Sequence, residues 1–347
     1  MNVMNYQKEF QIAQEKILQS KSVILVPHVD PDPDALCSCY AMWKYITGLG
    51  KKAYIGLQAP LFPKYTFIFG GDCSMIRYPA DFEAAQQESD LIVALDIGVS
   101  TRGGTWIVNA GNIPIINLDH HIDNDNFGFV NVVEAEYSST CELVYDFFLQ
   151  NNIEISKAIA ISLYTGIVYD TGSFRYSCTS RQTHEYVGRL VSQFDFDKNA
   201  IYEILFENRK VESLCLQMKV FNSLEMHRKG KVAVTMLENG DYKCCNAEEN
   251  DAIELVRVGS SIEGVDFSIF IHEKADKIKV SLRSKSDFNV NAVSKKYNGG
   301  GHVKASGFSM KGTAKDVKNK ILDDLLAKYD FFLSTGENPP VESPSSF

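Results

Sequence analysis

Residues 113–121 read IPIINLDHH, an apolar run that stops on Asp119, His120 and His121. The run has the length and composition of a buried strand. In open sheets of parallel strands, ligands bind just beyond the carboxyl ends of the strands. The stretch therefore predicts both a strand of such a sheet and a functional site at its end.

Three more apolar segments in the first half of the chain stop in the same way, on a carboxylate or an imidazole. They are residues 23–26 before His28, Asp32 and Asp34, residues 91–95 before Asp96, and the helix-like residues 158–169 before Asp170. Buried carboxylates this dense would raise one another's pKa unless cations neutralised them. The clusters together predict a metal site.

The residue types also narrow the choice of metal. Imidazole and carboxylate, without cysteine at ligand spacing, suit Mn²⁺ better than a structural Zn²⁺, with Mg²⁺ and Fe²⁺ as the alternatives. Four carboxylates and two histidines exceed the needs of one ion, so we expect two divalent cations about 3.5–4 Å apart. Such a pair activates water and stabilises the attacking and leaving oxygens at phosphorus. The sequence thus predicts a two-metal phosphoesterase.

A chain of 347 residues is longer than one core usually supports, which predicts two domains. Strands near 52–56, 91–95 and 113–118 alternate with helices, the pattern of a doubly wound, mostly parallel α/β sheet. From Val211 the pattern changes to that of a smaller α+β domain, and we expect a cleft between the two domains. The expected elements of this second domain are strands at 220–226, 231–237, 267–272 and 277–283 and helices at 290–297 and 314–329.

Four segments are expected along the chain. They are a catalytic metal-binding domain (1–192), a helical linker (193–210), a substrate-binding domain (211–333) and a disordered tail (334–347). The tail is rich in Pro, Ser and Glu, a composition typical of disorder. No internal repeat interrupts this organisation.

Charge and cysteine content limit the class of protein. The net charge of −9 argues against a protein that coats long nucleic acid, but residues 257–310 hold nine Lys/Arg and five Asp/Glu, which suits a short anionic ligand. Eight cysteines at irregular spacing resemble neither a disulfide framework nor a zinc site. Together with a polar N-terminus and no apolar run of membrane-spanning length, this predicts a cytoplasmic protein. We expect His227 and His272, at hairpin ends, to lie on the surface.

Residues 298–302 read NGGGH and predict an anion-binding loop. Without Cβ atoms, Gly299, Gly300 and Gly301 would let the backbone approach an anion and present several N–H donors to it. His302 would add a donor, and Lys304 a charge. A bare β-turn is the alternative interpretation of the same residues.

In their order along the chain, these motifs resemble those of the DHH phosphoesterase family, named after the tripeptide found here at 119–121. The matching residues are His28-x-x-x-Asp32-x-Asp34, Asp96, Asp119-His120-His121 and Asp170. Residues 281–284 (SLRS) and 298–307 (NGGGHVKASG) resemble the DHH-associated C-terminal domain. The resemblance covers about residues 15–330. It is to the subgroup of nanoRNase/pAp phosphatases and the phosphodiesterases of cyclic-di-AMP turnover.

The resemblance implies a role for each motif residue. One ion is expected on His28, Asp32 and Asp96, and the other on Asp34, Asp96, His120 and Asp170, with Asp96 bridging. The expected catalytic residues are Asp96, Asp119, which orients an imidazole, and His121, which faces the substrate phosphate. The expected substrate-binding residues are Ser281, Arg283, Gly299, Gly300, Gly301 and His302.

Two residues of the first motif depart from the family pattern. Cys37 stands where the family usually has glycine, and Pro33 where it usually has a small residue. The Cys37 thiol could pack in the core, be oxidised or bind a soft metal. Packing is favoured, because buried free cysteine is common.

The implied activity is hydrolysis of short 5′-phosphorylated oligonucleotides, of linear dinucleotides such as pApA and pGpG, and of pAp. The expected partners are short RNA or DNA or nucleotides, with no long duplex and no membrane, while monomer and homodimer both stay open. The alternatives are a cyclic-di-AMP phosphodiesterase, a RecJ-like single-strand exonuclease, an inorganic poly- or pyrophosphatase, and a non-enzymatic nucleotide sensor. A sensor would be expected to lack one of the six metal ligands, and all six are present.

Overall fold

The protein forms two compact units, Met1–Asn208 and Arg209–Phe347, in a computed structural model that describes residues 6–274 and 277–342. The first unit is built on a six-stranded sheet. Its strands are β1 (Ser22–Val26), β2 (Lys52–Gly56), β3 (Ile76–Arg77), β4 (Leu91–Leu95), β5 (Ile115–Asp119) and β6 (Val130–Val133). All neighbouring strands are parallel, in the order β3-β2-β1-β4-β5-β6.

This strand order reverses between β1 and β4. The chain builds outward from β1 towards one edge of the sheet and then from β4 towards the other. In doubly wound sheets such a reversal opens a crevice at the carboxyl ends of the two strands, where ligands bind. The predicted doubly wound, parallel fold is therefore confirmed, and the motifs that follow β1 and β4 come together at the reversal.

Helices cover both faces of this sheet. They are α1 (Gln7–Gln19), α2 (Pro33–Gly48), α3 (Phe82–Glu88), α4 (Gly104–Val108), α5 (Thr140–Gln150), α6 (Lys157–Asp170), α7 (Arg181–Gln193) and α8 (Lys198–Tyr202). In β1, Val23 and Leu25 pack into one core, and Ile24 and Val26 into another on the opposite face. Because successive side chains of a strand alternate between faces, a strand buried on both sides reads as an unbroken apolar run.

Shorter helical segments connect the main elements of the first unit. They are Pro63–Phe69, Pro79–Asp81, Ser100–Gly103 and the π-helical Glu203–Glu207. The last of these directly follows α8, so residues 198–207 are helical and belong to the first unit.

The second, smaller unit contains a six-stranded sheet with helices, the predicted α+β class. Its strands are β7 (Glu225–His227), β8 (Val232–Leu237), β9 (Phe267–Glu273), β10 (Ile278–Ser284), β11 (Gly300–His302) and β12 (Ala305–Met310). Its helices are α9 (Val211–Asn222), α10 (Asn239–Cys245), α11 (Val290–Lys295) and α12 (Ala314–Thr335), with 3₁₀ segments at Glu249–Arg257 and Gly259–Ser261. The strand order is β11-β12-β10-β9-β8-β7, and only β8 and β9 pair in parallel.

The start of the second unit differs from the prediction. The strand expected at 220–226 is wrong, because helix α9 runs through Asn222 and only Glu225–His227 is extended. Leu216 and Val220, one helical turn apart, pack into a core with Leu237 of β8. This packing stabilises a helix over the start of the expected strand, while the expected hairpin forms between Glu225–His227 and β8.

The end of the chain also differs from the prediction. The tail expected to be disordered from residue 334 begins inside helix α12, which ends at Gly336 in the left-handed conformation that favours glycine. Beyond it, Glu342 pairs with Lys328 and Lys296. The remainder of the predicted tail, residues 343–347, lies outside the described residues.

The cysteine pattern hid one disulfide. Cys215 of α9 and Cys245 of α10 are bonded, although the irregular cysteine spacing does not resemble a disulfide framework. The two residues are separated by 30 positions and become neighbours only because the two helices pack together. The other six cysteines are free. In the part of the chain that is described, no helix is long and apolar enough to cross a membrane.

His272 is buried, not exposed as expected from its place near a hairpin end. Strand β9 continues through Glu273, and the imidazole packs between the rings of Phe270 and Tyr242, with Nε2 against the Tyr242 hydroxyl. Burial and the nearby charge of Lys274 lower the pKa of His272 to about 4. The neutral imidazole is therefore part of the core of the second unit.

We expect this histidine to make the protein acid-sensitive. Between about pH 6.5, the ordinary histidine pKa, and about pH 4, the unfolded chain binds a proton that the folded chain does not, so stability falls as the pH falls. The full loss is about 3 kcal/mol. Thermal unfolding from pH 7.5 to 4 should show a smaller acid-induced loss in His272→Gln than in the wild type. Parallel curves for the two proteins would contradict this assignment.

Candidate metal centre

The loop after β1 supplies three of the predicted ligands. His28 is buried, and Asp32 is the N-cap of helix α2, where its Oδ1 accepts hydrogen bonds from the backbone N–H groups of Asp34 and Ala35 at 3.0 and 3.1 Å. Pro33 occupies the first turn of the helix, where its missing N–H costs nothing. The cap thus fixes Asp32 and Asp34 at the carboxyl end of β1.

Asp96 lies at the centre of the cluster. It follows β4 directly, is 3% exposed, and has a φ of 62°, a left-handed conformation that is rare for a residue other than glycine. Its carboxylate oxygens lie 3.6 Å from His28 Nε2, 3.5 Å from His120 Nε2 and 3.6 Å from His121 Nδ1. The side chain is therefore positioned between the loops that follow β1 and β5.

All six predicted metal ligands converge in this crevice. Candidate ligand atoms lie within 4.8 Å of one another in the groups His28–Asp32–Asp96, Asp34–His120–Asp170 and Asp96–His120–His121. His120 Nε2 is 3.4 Å from Asp170 Oδ2 at the end of α6. The first group contains the three ligands expected for one cation, and the second contains three of the four expected for the other. The fourth, Asp96, lies 3.5 Å from His120 Nε2.

The electrostatics of the cluster are unfavourable for bare carboxylates. Burial, then the charge of Asp96, raises the pKa of Asp32, and burial with the charges of Asp96 and Asp170 raises that of Asp34 well above its usual value. Burial also raises the pKa of Asp96, but the three neighbouring histidines lower it further, below its ordinary value. Positive charge is what this site lacks, and its oxygen and imidazole donors fit a divalent cation.

Hydrogen bonds orient two of the imidazoles. His120 Nδ1 donates to the carbonyl of Tyr137 at 3.3 Å, which leaves Nε2 directed at Asp96 and Asp170. His121 Nδ1 donates to Asp119 Oδ1 at 2.7 Å, and Asp119 is itself held by Asn124. Burial lowers the pKa of His121, but the Asp119 hydrogen bond and the charges of Asp96 and Asp119 raise it more, to about 9.

The N-terminus of helix α5 forms a second layer that the sequence did not reveal. The backbone N–H groups of Thr140 and Cys141 donate to the two oxygens of Asp34 at 2.8 and 2.9 Å. The Thr140 hydroxyl donates to Asp96 Oδ1 at 2.9 Å in a fully buried position. The helix dipole and these donors stabilise the charged carboxylates. Ser139 is the N-cap of this helix and accepts a hydrogen bond from the backbone N–H of Glu142, but this local contact gives no sign of the long-range partners.

Cys37 lies in the core of the first unit. Its side chain is fully buried on α2 among the apolar residues that cover the sheet. Burial raises the pKa of its thiol well above the usual value, so the reactive thiolate is suppressed. Of the roles considered for this thiol, these features support packing.

In the second unit, part of the predicted substrate-binding set lines a cavity of about 300 Å³. The lining residues are Lys279, Ser281, Arg283, Gly300, Ala305, Ser306, Gly307, Phe308 and Ser309. Lys279, Ser281 and Arg283 alternate along β10, so they share one face of the sheet. Lys279 was not predicted, although its spacing from Arg283 is visible in the sequence. Gly299, Gly301 and His302 are not among the lining residues.

The glycine run forms a strand, not the expected open loop. Gly300 and Gly301 pair with Gly307 and Ser306 of β12. A Cβ at Gly299 would lie 2.3 Å from the Gly307 carbonyl oxygen, and one at Gly301, whose φ is 134°, 2.6 Å from that of Ala305. Close backbone approach within a tight hairpin therefore requires these two glycines. A Cβ at Gly300 would meet nothing within 4 Å.

Comparison with known proteins agrees with this arrangement. Residues 22–167 match the DHH family N-terminal domain, and residues 230–329 match the DHHA1 domain. A probable bifunctional oligoribonuclease and PAP phosphatase NrnA from Streptococcus mutans is 30% identical over 84% of this chain and 90% of its own length. The chain belongs to the DHH family of phosphoesterases.

Two further relatives extend over nearly the whole chain. The bifunctional oligoribonuclease and PAP phosphatase NrnA of Bacillus subtilis is 27% identical over 88% of this chain and 93% of its own length. The crystal structure of an exopolyphosphatase-related protein from Bacteroides fragilis superposes with a TM-score of 0.88 and 26% identity, covering 96% of this chain and 100% of that one. Each of the two units therefore shares its fold with this protein.

Thr140 provides a test of the second layer. Thr140→Val removes the only hydroxyl that donates to Asp96 Oδ1 among the described residues, and we expect about 10- to 100-fold weaker Mn²⁺ binding, the usual cost of losing a hydrogen bond behind a metal ligand. Thr140→Ser should restore most of the affinity, which isothermal titration calorimetry can measure. Thr235→Val, at a buried threonine of the second unit, is the matched control. Unchanged Mn²⁺ affinity in Thr140→Val would rule out this role.

Proposed function

We propose that this protein is a divalent-cation-dependent phosphodiesterase that converts short 5′-phosphorylated oligonucleotides and linear dinucleotides, such as pApA and pGpG, to mononucleotides. We further propose that it removes the 3′-phosphate of pAp. The convergence of six histidine and aspartate side chains where the strand order reverses is the observation that supports the proposal. The S. mutans and B. subtilis relatives, named for both activities, support this choice of substrates.

Two cations account for the arrangement of the ligands. His28, Asp32 and Asp96 would hold one, and Asp34, Asp96, His120 and Asp170 the other, with Asp96 shared. Histidine and carboxylate donors without thiolate favour Mn²⁺, with Mg²⁺ and Fe²⁺ as alternatives. Bound cations of this kind supply Lewis acidity, which activates water and stabilises charge on the phosphoryl oxygens.

The residues of the chain perform the remaining tasks. Asp119 holds the proton of His121 at Nδ1, so Nε2 is left to face the phosphoryl group. The raised pKa of His121 keeps it protonated near neutral pH in the absence of cations, which suits a donor to a phosphoryl oxygen. Thr140 and the α5 backbone keep Asp96 and Asp34 oriented while the charge on the substrate changes.

The second unit is proposed to bind the rest of the nucleotide. Its cavity is open to solvent along one face of β10 and presents the cations of Lys279 and Arg283 together with the Ser281 hydroxyl. Guanidinium and ammonium groups with adjacent hydroxyl and backbone donors are suited to phosphate and sugar oxygens. The excess of basic residues between 257 and 310 agrees with an anionic ligand.

The direct test is hydrolysis of a substrate panel with Mn²⁺. Wild-type protein should convert pApA and pAp to AMP faster than it degrades cyclic-di-AMP, pyrophosphate or a long single strand, as resolved by chromatography. EDTA should abolish turnover, and Mn²⁺ should restore it better than Zn²⁺.

Asp96→Ala should lower kcat by more than about 100-fold while circular dichroism stays unchanged, because cation activation supplies several kcal/mol of the barrier. Preference for another member of the panel would replace the proposed substrate, and an active Asp96→Ala would refute the shared ligand.

Arg283 separates binding of the nucleotide from the chemical step. Arg283→Ala should lower kcat/KM for pApA by about 1.5–3 kcal/mol, the usual contribution of a charge-assisted hydrogen bond. A small ester such as bis-p-nitrophenyl phosphate offers no second nucleotide and should lose much less. Arg228→Ala, which removes an exposed arginine paired with Asp330, is the matched control. Equal losses on both substrates would place Arg283 in the chemical step.

A further inference from the structure

We propose that Arg102 binds the phosphoryl group of the substrate and that a cation on His28 releases it for this task. The inference deepens the proposed function and rests on it. Arg102 belongs to none of the motifs that identify the site. It lies in the short helix Ser100–Gly103, six residues after Asp96 in the chain, and its side chain is exposed.

Two contacts position Arg102 beside the metal centre. Its carbonyl accepts a hydrogen bond from the backbone N–H of Val29 at 2.8 Å, which joins the loop after β4 to the loop after β1. Its guanidinium Nη2 is 3.2 Å from His28 Nδ1. Since His28 is buried and Arg102 exposed, the guanidinium covers the solvent side of this imidazole.

The contact with His28 is chemically different from those of the other two imidazoles. A guanidinium has only N–H donors and stays charged in proteins, so His28 Nδ1 must be the acceptor. In a neutral imidazole the single proton then lies on Nε2, which faces Asp96 Oδ2 at 3.6 Å. In contrast, His120 and His121 donate through Nδ1 to oxygen acceptors, so Nε2 is unprotonated in their neutral forms.

Cation binding through His28 Nε2 and the Arg102 contact therefore exclude each other. A cation would bind the lone pair of Nε2. The proton of a neutral imidazole would then have to lie on Nδ1, directly opposite the guanidinium N–H. Two donors would then face each other, and a dication nearby would repel the arginine as well. We infer that Arg102 turns away from His28 when the cation binds.

An anion at the mouth of the site would be the new partner of Arg102. Burial and the charge of Arg102 both lower the pKa of His121. The guanidinium is therefore near His121 as well as His28. A phosphoryl group that approaches the cations from solvent passes this position. The planar, forked guanidinium matches two phosphate oxygens at once.

The alternative is that Arg102 is a structural residue that holds His28 in place. The two roles predict opposite effects on cation affinity. If Arg102 positioned His28 as a ligand, its removal would weaken cation binding. If it must leave before the cation binds, its removal should leave cation affinity unchanged or increase it.

The test is calorimetric titration of the full-length protein, first with Mn²⁺ and then, in the Mn²⁺-loaded form, with inorganic phosphate. Arg102→Ala should bind Mn²⁺ at least as tightly as the wild type and bind phosphate about 10- to 100-fold more weakly. Arg102→Lys, which keeps the charge but not the fork, should lie between. Arg228→Ala should match the wild type in both titrations. Tenfold weaker Mn²⁺ binding by Arg102→Ala, or unchanged phosphate binding, would overturn the proposal.

These titrations are independent of turnover. If the wild type binds Mn²⁺ and phosphate but hydrolyses neither pApA nor pAp, the proposed substrates are wrong and the role of Arg102 in phosphate binding is still decided. If hydrolysis proceeds but Arg102→Ala binds phosphate normally, the proposed function stands and the role of Arg102 is refuted. Equal melting temperatures of the variants exclude misfolding as the cause.

Discussion

One electrostatic constraint dominates the first unit: carboxylates are buried together around Asp96, where the strand order of the sheet reverses. Burial and mutual repulsion raise the pKa of Asp32 and Asp34, so the charged forms are costly in the protein alone. The three histidines lower the pKa of Asp96 below its ordinary value, but the smaller contributions of His28 to Asp32 and of His120 to Asp34 do not offset burial and repulsion. Bound divalent cations would neutralise the charge of all these carboxylates. The cluster therefore destabilises the protein without cations but is suited to cation-assisted catalysis.

The fold supports this cluster mainly with backbone donors. The N-terminus of α2 binds Asp32, and that of α5 binds both oxygens of Asp34. These N–H groups stabilise the two carboxylates without an ion pair to lysine or arginine. The side chain of Arg102 is exposed and that of Arg283 is half-buried, and both are proposed to contact the phosphorylated substrate.

The positions of the six candidate metal ligands were predictable because they follow local patterns. The apolar runs of β1, β4 and β5 and the helix α6 can be recognised from neighbouring residues, and a candidate ligand lies at or shortly after the end of each. Thr140 was not predictable, because its bond to Asp96 spans 44 residues. The disulfide was hidden for the same reason. Helix α9 was misread because it also exposes apolar residues, with Val211 77% and Met218 61% exposed, which obscures a one-sided helical pattern.

The number and position of the bound cations test the central role of Asp96 most directly. Crystals grown with Mn²⁺ and measured near the manganese absorption edge locate each ion by its anomalous scattering. If Asp96 bridges, two peaks about 3.5–4 Å apart should appear, one in contact with His28 and the other with His120, and both in contact with Asp96. A single peak, or two peaks of which only one contacts Asp96, would contradict the two-cation centre.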